Sequence, residues 1–181
     1  MPDDLLVRPR RADDLPTLAA VLSAQQPHSG YPQRWPLPWP VEQFIERRHE
    51  LGAWVAEVGG RVVGHVAVTG VDPSDEATGW SRATGRPLDE LACVAVLFVD
   101  HTLARRGVGS RLLTVAVDHI RGLDRVPVLD VVQESPEAVR LYERHGWQVV
   151  GEARPVWLPD HLRPVLLMVL PDDVPQARQT K

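Results

Sequence analysis

The sequence predicts a single α/β domain of about seven strands and about four helices. Three observations predict it. The chain has 181 residues, which suits one domain at roughly 150 residues each. Runs of β-branched residues alternate with stretches of helical periodicity. The composition, 44% hydrophobic and 24% charged, gives a chain of this size enough apolar surface for one core without staples. The domain is read as residues 1–170, and Pro171 to Lys181 as a frayed, flexible C-terminal tail.

Leu5, Leu6 and Val7, followed by Arg8 and Pro9, read as a short first strand that proline stops. From Asp14, an N-cap with Pro16 in the first turn, Leu15, Leu18, Ala19 and Leu22 recur at helical spacing. Pro27 to Trp39 (PHSGYPQRWPLPW) ends this helix, because its prolines lack donors and push each preceding residue toward extended backbone. A second helix is expected from about Pro40 to Leu51, with Val41, Phe44 and Ile45 on its apolar face. Trp54 to Gly70 holds two β-branched runs around Gly59-Gly60, a dipeptide suited to positive φ, and reads as a hairpin.

Asp72 to Asp89 is polar and aperiodic and reads as a long loop. Leu91 to Val99 (LACVAVLFV) is nearly all apolar, as a central strand covered on both faces should be. Gly107 to Arg121 then places Leu112, Leu113, Ala116, Val117 and Ile120 on one helical face, and Val126 to Val132 is the next strand. Ser135-Pro136-Glu137 opens another helix with a hydroxyl cap, proline at the first position and an acid near the positive end of the dipole; Gly146 ends it. Trp147 to Trp157 and Val165 to Leu170 are the closing strands.

Several function classes are excluded at this level. Cys93 is the only cysteine, so no disulfide framework and no cysteine zinc site can form within one chain, and a reducing compartment is expected. No apolar run nears the roughly 18 residues of a membrane span, and MPDDLLVRPRR starts with acids where a secretion signal is basic. A cytoplasmic protein without membrane partners is therefore expected. The net charge of -4 and dispersed basic residues leave no footprint for a nucleic-acid backbone. The seven histidines are scattered without metal-ligand spacing, so no metal is expected.

The strongest local signal is a strand, a short turn and then Arg105-Arg106-Gly107-Val108-Gly109-Ser110 opening a helix. A helix start exposes unpaired N–H groups and a positive dipole end, and glycines admit a ligand close to the backbone, so this is either an anion site for a phosphate or a plain helix cap with solvated arginines. It is neither a Walker P-loop nor a full dinucleotide fingerprint. Downstream, LDVVQESPEAVRLYERHGW places a strand carrying Asp130 before a helix carrying Tyr142. Taken together, VDHTLARRGVGSRLL and, some twenty residues later, SPEAVRLYERHGW resemble the acyl-CoA-binding core of the GCN5-related N-acetyltransferase family, with the close match spanning about Leu91 to Gly151.

That resemblance implies the family's acyl-CoA N-acyltransferase fold, a mixed and mostly antiparallel sheet, and acetyl-CoA as co-substrate. It implies that main-chain groups of Leu97, Phe98 and Val99 pair with the acetyl and pantetheine portion like an added strand. Arg105, Arg106, Gly107, Val108, Gly109 and Ser110 would cradle the pyrophosphate. Two positions depart from the family pattern: Ala104 stands where Gln or Arg is usual, and Ser135 where Asn, a cofactor-side contact, is usual. The implied reaction is direct acetyl transfer to a primary amine through a ternary complex and a tetrahedral intermediate.

Tyr142 aligns with the family tyrosine that protonates the departing thiolate, and its bland alternative is aromatic packing on a helix face. Asp130 interrupts an interior strand, where an unpaired charge is costly, and aligns with a carboxylate that deprotonates the amine in enzymes acting on protein N-termini; otherwise it faces solvent or an arginine. Glu90 and Glu134 are the runners-up for that role. Tyr31, Trp35 and Trp39, set among prolines, form either an aromatic wall of the acceptor pocket or a plug over the sheet, and Trp80 and Trp157 are candidates for the same cleft. Cys93 reads as an inert core thiol. A small-molecule amine is the preferred acceptor, a protein N-terminus or lysine the second, and a non-catalytic acyl-CoA sensor the competing class. A homodimer is also expected from the family.

Overall fold

A computed structural model describes residue 2 and residues 4–171, so the expected tail from Asp172 onward lies outside the described residues. Seven strands form one sheet in the order β1-β2-β3-β4-β5-β7-β6. They are β1 (Leu6–Pro9), β2 (Glu50–Val58), β3 (Arg61–Thr69), β4 (Leu91–Val99), β5 (Val126–Val131), β6 (Gln148–Ala153) and β7 (Val165–Val169). Every pairing is antiparallel except β4 with β5. Five α-helices cover the sheet: α1 (Leu15–Ser29), α2 (Val41–Ile45), α3 (Asp75–Thr84), α4 (Val108–Gly122) and α5 (Pro136–Arg144).

The helices divide the core between the two sheet faces. Leu112, Leu113, Ala116, Val117 and Ile120 of α4 pack on Ala56, Val63, Val66, Val68, Ala92 and Val94. The other face holds Leu18 and Leu22 of α1 with Ile45, Val55, Val96 and Phe98, and farther along the sheet Trp80 of α3 with Leu91, Val128 and Leu167. Burying each of these large side chains contributes about 1.5–3 kcal/mol, which is why the apolar stripes fix which face each helix covers.

Several expectations need correction. Residues 72–89 are not a loop throughout: Ser74 accepts a hydrogen bond from the Ala77 N–H (3.1 Å) and caps α3, which buries Ala77 and Trp80 and ends at Gly85 in the left-handed region (φ 68°). The element hides because only two of its side chains are buried, too few for a periodicity signal. Helix α1 passes through Pro27 to Ser29, since a proline in a last turn forfeits one bond while Gly30 (φ 70°) closes the end onto the Gln26 carbonyl at 2.7 Å. Helix α2 is five residues long rather than reaching Leu51, because Glu50 already pairs with Thr69 in the hairpin and anchors Arg10 at 2.9 Å.

The helix caps differ as well. Asp14 does not cap α1 with its side chain; both its oxygens take Arg8 at 2.8 Å and one also takes the Arg11 N–H at 2.7 Å. Ser135 occupies the N-cap position of α5, with Pro136 following as expected, but its hydroxyl makes no capping bond. Strand β6 stops at Ala153, ahead of Pro155, instead of running to Trp157.

Candidate functional site

The site begins with a defect in the sheet. Strands β4 and β5 pair over three residues each, Leu91 with Val126, Ala92 with Pro127 and Cys93 with Val128, and then part. Pro127 carries no N–H, and from Val128 onward β5 gives its other edge to β7. Beyond Cys93, the β5-facing edge of β4 therefore has no strand partner, and Leu97, Phe98 and Val99 lie along it. Backbone groups left open in this way take up a strand-like ligand.

A second irregularity sits on the same stretch. Val96 has φ 52°, a left-handed value that a β-branched residue adopts only when its surroundings impose it. The pairing with β3 slips there, with His65 opposite Phe98 but Ala67 opposite Ala95. The bulge also reverses the alternation of faces: Ala92 and Val94 pack toward α4, Ala95 and Val96 both pack toward α1, and Leu97 and Val99 return to the α4 side.

The turn after β4 leads into α4. Asp100 accepts from the Thr102 N–H at 2.9 Å and from its hydroxyl at 2.7 Å, shaping a short turn that Arg105 (φ 63°) and Gly107 (φ 82°) complete. Gly107 is the N-cap of α4, so the N–H groups of Val108, Gly109 and Ser110 start the helix without intrahelical acceptors. Arg106 is exposed beside them. The exposed Arg105 guanidinium bonds Glu137 in the first turn of α5, a pairing that holds the Glu137 carboxyl below its usual range. A 15-residue helix with an open first turn and two arginines beside it can hold an anion.

Where β4 and β5 part, titratable groups from four elements and two loops converge. Asp130 on β5 has its pKa raised to about 6, first by burial and then by the negative charge of Glu76; the nearby Arg47 acts the other way. Tyr142 on α5 is buried, packs edge-on against Trp147 with ring centroids 6.0 Å apart, and has its phenol pushed up by burial and by the charges of Tyr31, Asp130 and Cys93. Among the described residues, only the indole nitrogens of Trp80 and Trp147 are sealed in without a partner, so the Tyr142 hydroxyl, which bonds no protein group, is not fully sealed. The Tyr31 phenol is pushed up to about 12, again mainly by burial. The half-buried Cys93 thiol is raised by burial too, consistent with an inert thiol.

The structure brings Tyr31, Asp130 and Tyr142 together but separates other candidates. Tyr31 stands edge-on to Phe44 at 5.8 Å, and Arg47 lies over the Phe44 ring at 4.3 Å. Trp35 is half-buried in the same loop, whereas Trp39 is 46% exposed and faces Arg34 at 6.0 Å. Trp80 is buried in the core under α3 and does not line a cleft; Trp157 is exposed beyond β6. Glu90 is paired with Arg86 at 2.8 Å. Glu134 is held low despite some burial by the side chain of Arg163 at 3.0 Å, so neither runner-up carboxylate is free. Sequence reasoning missed Glu76, Arg47 and His65. The Ser74-Asp75-Glu76 cap signature could have revealed the first, whereas nothing local distinguishes the other two.

Among the described residues no three metal-ligating side chains cluster, and no helix is long and apolar enough to cross a membrane. The model of the acetyltransferase (GNAT) family matches residues 18–147. No curated protein matches the sequence significantly. Solved structures similar to the chain include the ribosomal-protein-S18-alanine N-acetyltransferase of Escherichia coli, at 18% identity and a TM-score of 0.65 over 92% of this chain and 93% of that one. A putative acetyltransferase of Salmonella typhimurium, yncA, solved with its cofactor acetyl-CoA, aligns at 15% identity and a TM-score of 0.69 over 93% and 94%. A putative phosphinothricin N-acetyltransferase aligns at 22% identity and 0.64 over 91% and 96%.

Proposed function

This chain belongs to the acetyltransferase (GNAT) family, and from that premise we propose that it moves the acetyl group of acetyl-CoA directly onto a primary amine of a small molecule. Acetyl-CoA-dependent acyl transfer is the chemistry of the family, and the chain is an acyltransferase. The residues present suit the co-substrate: β4 offers an unpaired edge along Leu97 to Val99, and the open first turn of α4 offers N–H groups and arginines at one end of it. Acetyl-CoA supplies an activated acyl group and a thiolate that leaves. Residues 105–110 would take the pyrophosphate, the edge of β4 the pantetheine arm, and Ser135 would sit at the α5 side of the cleft.

The observation that carries this reading is the convergence of one acid and one base where β4 and β5 part. An amine attacks only when neutral, so a proton must leave it, and the thiolate needs one in return. Asp130, poised near 6, is ionised at neutral pH yet basic enough to take that proton. Tyr142, with its phenol pushed upward, stays protonated and can donate to sulfur. Cys93, raised by burial, makes a poor acyl carrier, which favours direct transfer. The acceptor side is mixed in character, with the rings of Tyr31 and Phe44, the cation of Arg47 and the acids Asp130 and Glu76. Trp35, half-buried in the loop that carries Tyr31, would extend this wall, whereas the exposed Trp39 would not.

A protein N-terminus is the second reading, favoured by the likeness to the alanine N-acetyltransferase of a ribosomal protein. Release of free thiol from acetyl-CoA, measured across small primary amines and short peptides, separates the two. The proposal expects turnover with small amines and little with peptides. Preference for peptides reverses the acceptor, and tight acetyl-CoA binding without thiol release across the whole panel makes the protein a sensor.

A further inference from the structure

His65 lies in the middle of β3 with no exposed surface, one of three buried polar or charged side chains among the described residues. A buried imidazole in an apolar sheet is costly unless both ring nitrogens are satisfied, and here both are. Nδ1 stands 2.9 Å from the carbonyl oxygen of Val96, an acceptor only, so Nδ1 carries the proton. Nε2 is then an acceptor, and Arg10 Nη1 donates to it at 3.2 Å. Arg10 is itself fixed by both oxygens of Glu50, at 2.9 and 3.1 Å. A chain of polar contacts thus runs from the end of β1 through β2 and β3 to one peptide of β4. Burial keeps the imidazole neutral by lowering its pKa to about 4, which suits these two roles.

The carbonyl it holds belongs to the strained bulge residue. In a trans peptide the C=O and the N–H point in opposite directions, so fixing the Val96 carbonyl toward His65 turns the N–H of Leu97 away from β3. On that side β4 has no strand partner beyond Cys93. We propose that His65 is a positioning residue for acetyl transfer: by gripping the Val96 carbonyl it aims the Leu97 N–H at the thioester carbonyl oxygen of acetyl-CoA. An apolar residue would pack against Phe98, whose ring is 5.6 Å away, but would leave the bulge carbonyl unpartnered and the peptide free to rotate. This inference rests on the acetyl-transfer reading above.

Two amide substitutions separate the contacts. The Asn side chain presents its N–H₂ near the place of Nδ1 and can hold Val96, whereas Gln reaches the place of Nε2 and can hold only Arg10. His65→Asn is expected to keep kcat within about threefold, and His65→Gln to lose about 10- to 100-fold in kcat, the scale of a misplaced donor, with little change in affinity for free coenzyme A. In isotope-labelled wild type, the Leu97 amide signal is expected to move downfield with acetyl-CoA and much less with coenzyme A, which lacks the carbonyl. Equal loss in both variants, loss of coenzyme A affinity in parallel with kcat, or an indifferent Leu97 amide would overturn the role of His65. If neither variant folds, the ring nitrogens of isotope-labelled wild-type His65 decide: a neutral Nδ1–H tautomer whose signal moves together with the Leu97 amide on acetyl-CoA binding supports the role, and an Nε2–H tautomer or an unmoved ring signal overturns it. A wild-type protein that binds acetyl-CoA but releases no thiol would instead defeat the underlying reading.

Discussion

At the scale of single residues, the site depends on groups whose protonation is set by burial. Tyr142→Phe removes the proposed proton donor but keeps the ring that packs on Trp147, so kcat is expected to fall about 10²- to 10³-fold while thermal stability barely changes. An unchanged kcat in steady-state assays would reduce Tyr142 to a packing residue. For Asp130, our proposed base, the sign is fixed by the raised pKa: a base is active when ionised, so kcat/KM should rise with pH through about 6 and level off above it. Asp130→Asn should remove that limb along with most of the rate. His65 bears on stability instead. Its folded pKa of about 4 lies below the ordinary 6.5, so the unfolded chain binds the extra proton first and stability drains as pH falls from about 6.5 to 4. Burial lowers the pKa most, the positive charges of Arg10 and Arg47 add to it, and the Val96 carbonyl and the Asp14 charge oppose it. Comparing denaturation midpoints of wild type and His65→Asn across that window should show a steeper pH dependence for wild type; parallel curves would contradict the assignment.

At the scale of elements, legibility follows how much of each segment's structure is written in local periodicity. The hairpin of β2 and β3, the all-apolar β4 and the amphipathic α4 were readable because burial imprints alternation or a helical stripe on them. Helix α3 was not, because it is polar and buries only Ala77 and Trp80. That omission concealed Glu76, which α3 brings near Asp130. Ser74→Ala should cost about 1 kcal/mol of stability through the lost cap, measurable by urea denaturation. Glu76→Gln tests the electrostatic consequence. A like charge raises the pKa of Asp130, so removing it should move the rising limb of the pH profile to lower pH, and a limb that stays put would show that Glu76 does not act on the base.

At the scale of the whole molecule, seven strands form one sheet in which β4 and β5 pair over only three residues before they part. The glycines and arginines opening α4 were legible as a helix start and a candidate anion site because a helix N-terminus is a local feature. The open edge of β4 was implied only by likeness to a family, and the bulge at Val96 was not foreseen at all, since a positive φ in a run of LACVAVLFV leaves no mark in the sequence. Long-range contacts escaped for the same reason. His65 meets Val96 across 31 positions and Arg10 across 55, and neither partner is signalled nearby. All these features bear on one claim, that the gap between the two strands is built for a thioester. A crystal structure with acetyl-CoA bound tests it most directly. The coenzyme's diphosphate should rest on the N–H groups of residues 108–110, its pantetheine arm should run along Leu97 to Val99, and its sulfur should lie within hydrogen-bonding reach of the Tyr142 hydroxyl. A coenzyme lodged elsewhere, with the edge of β4 left bare, would contradict the account.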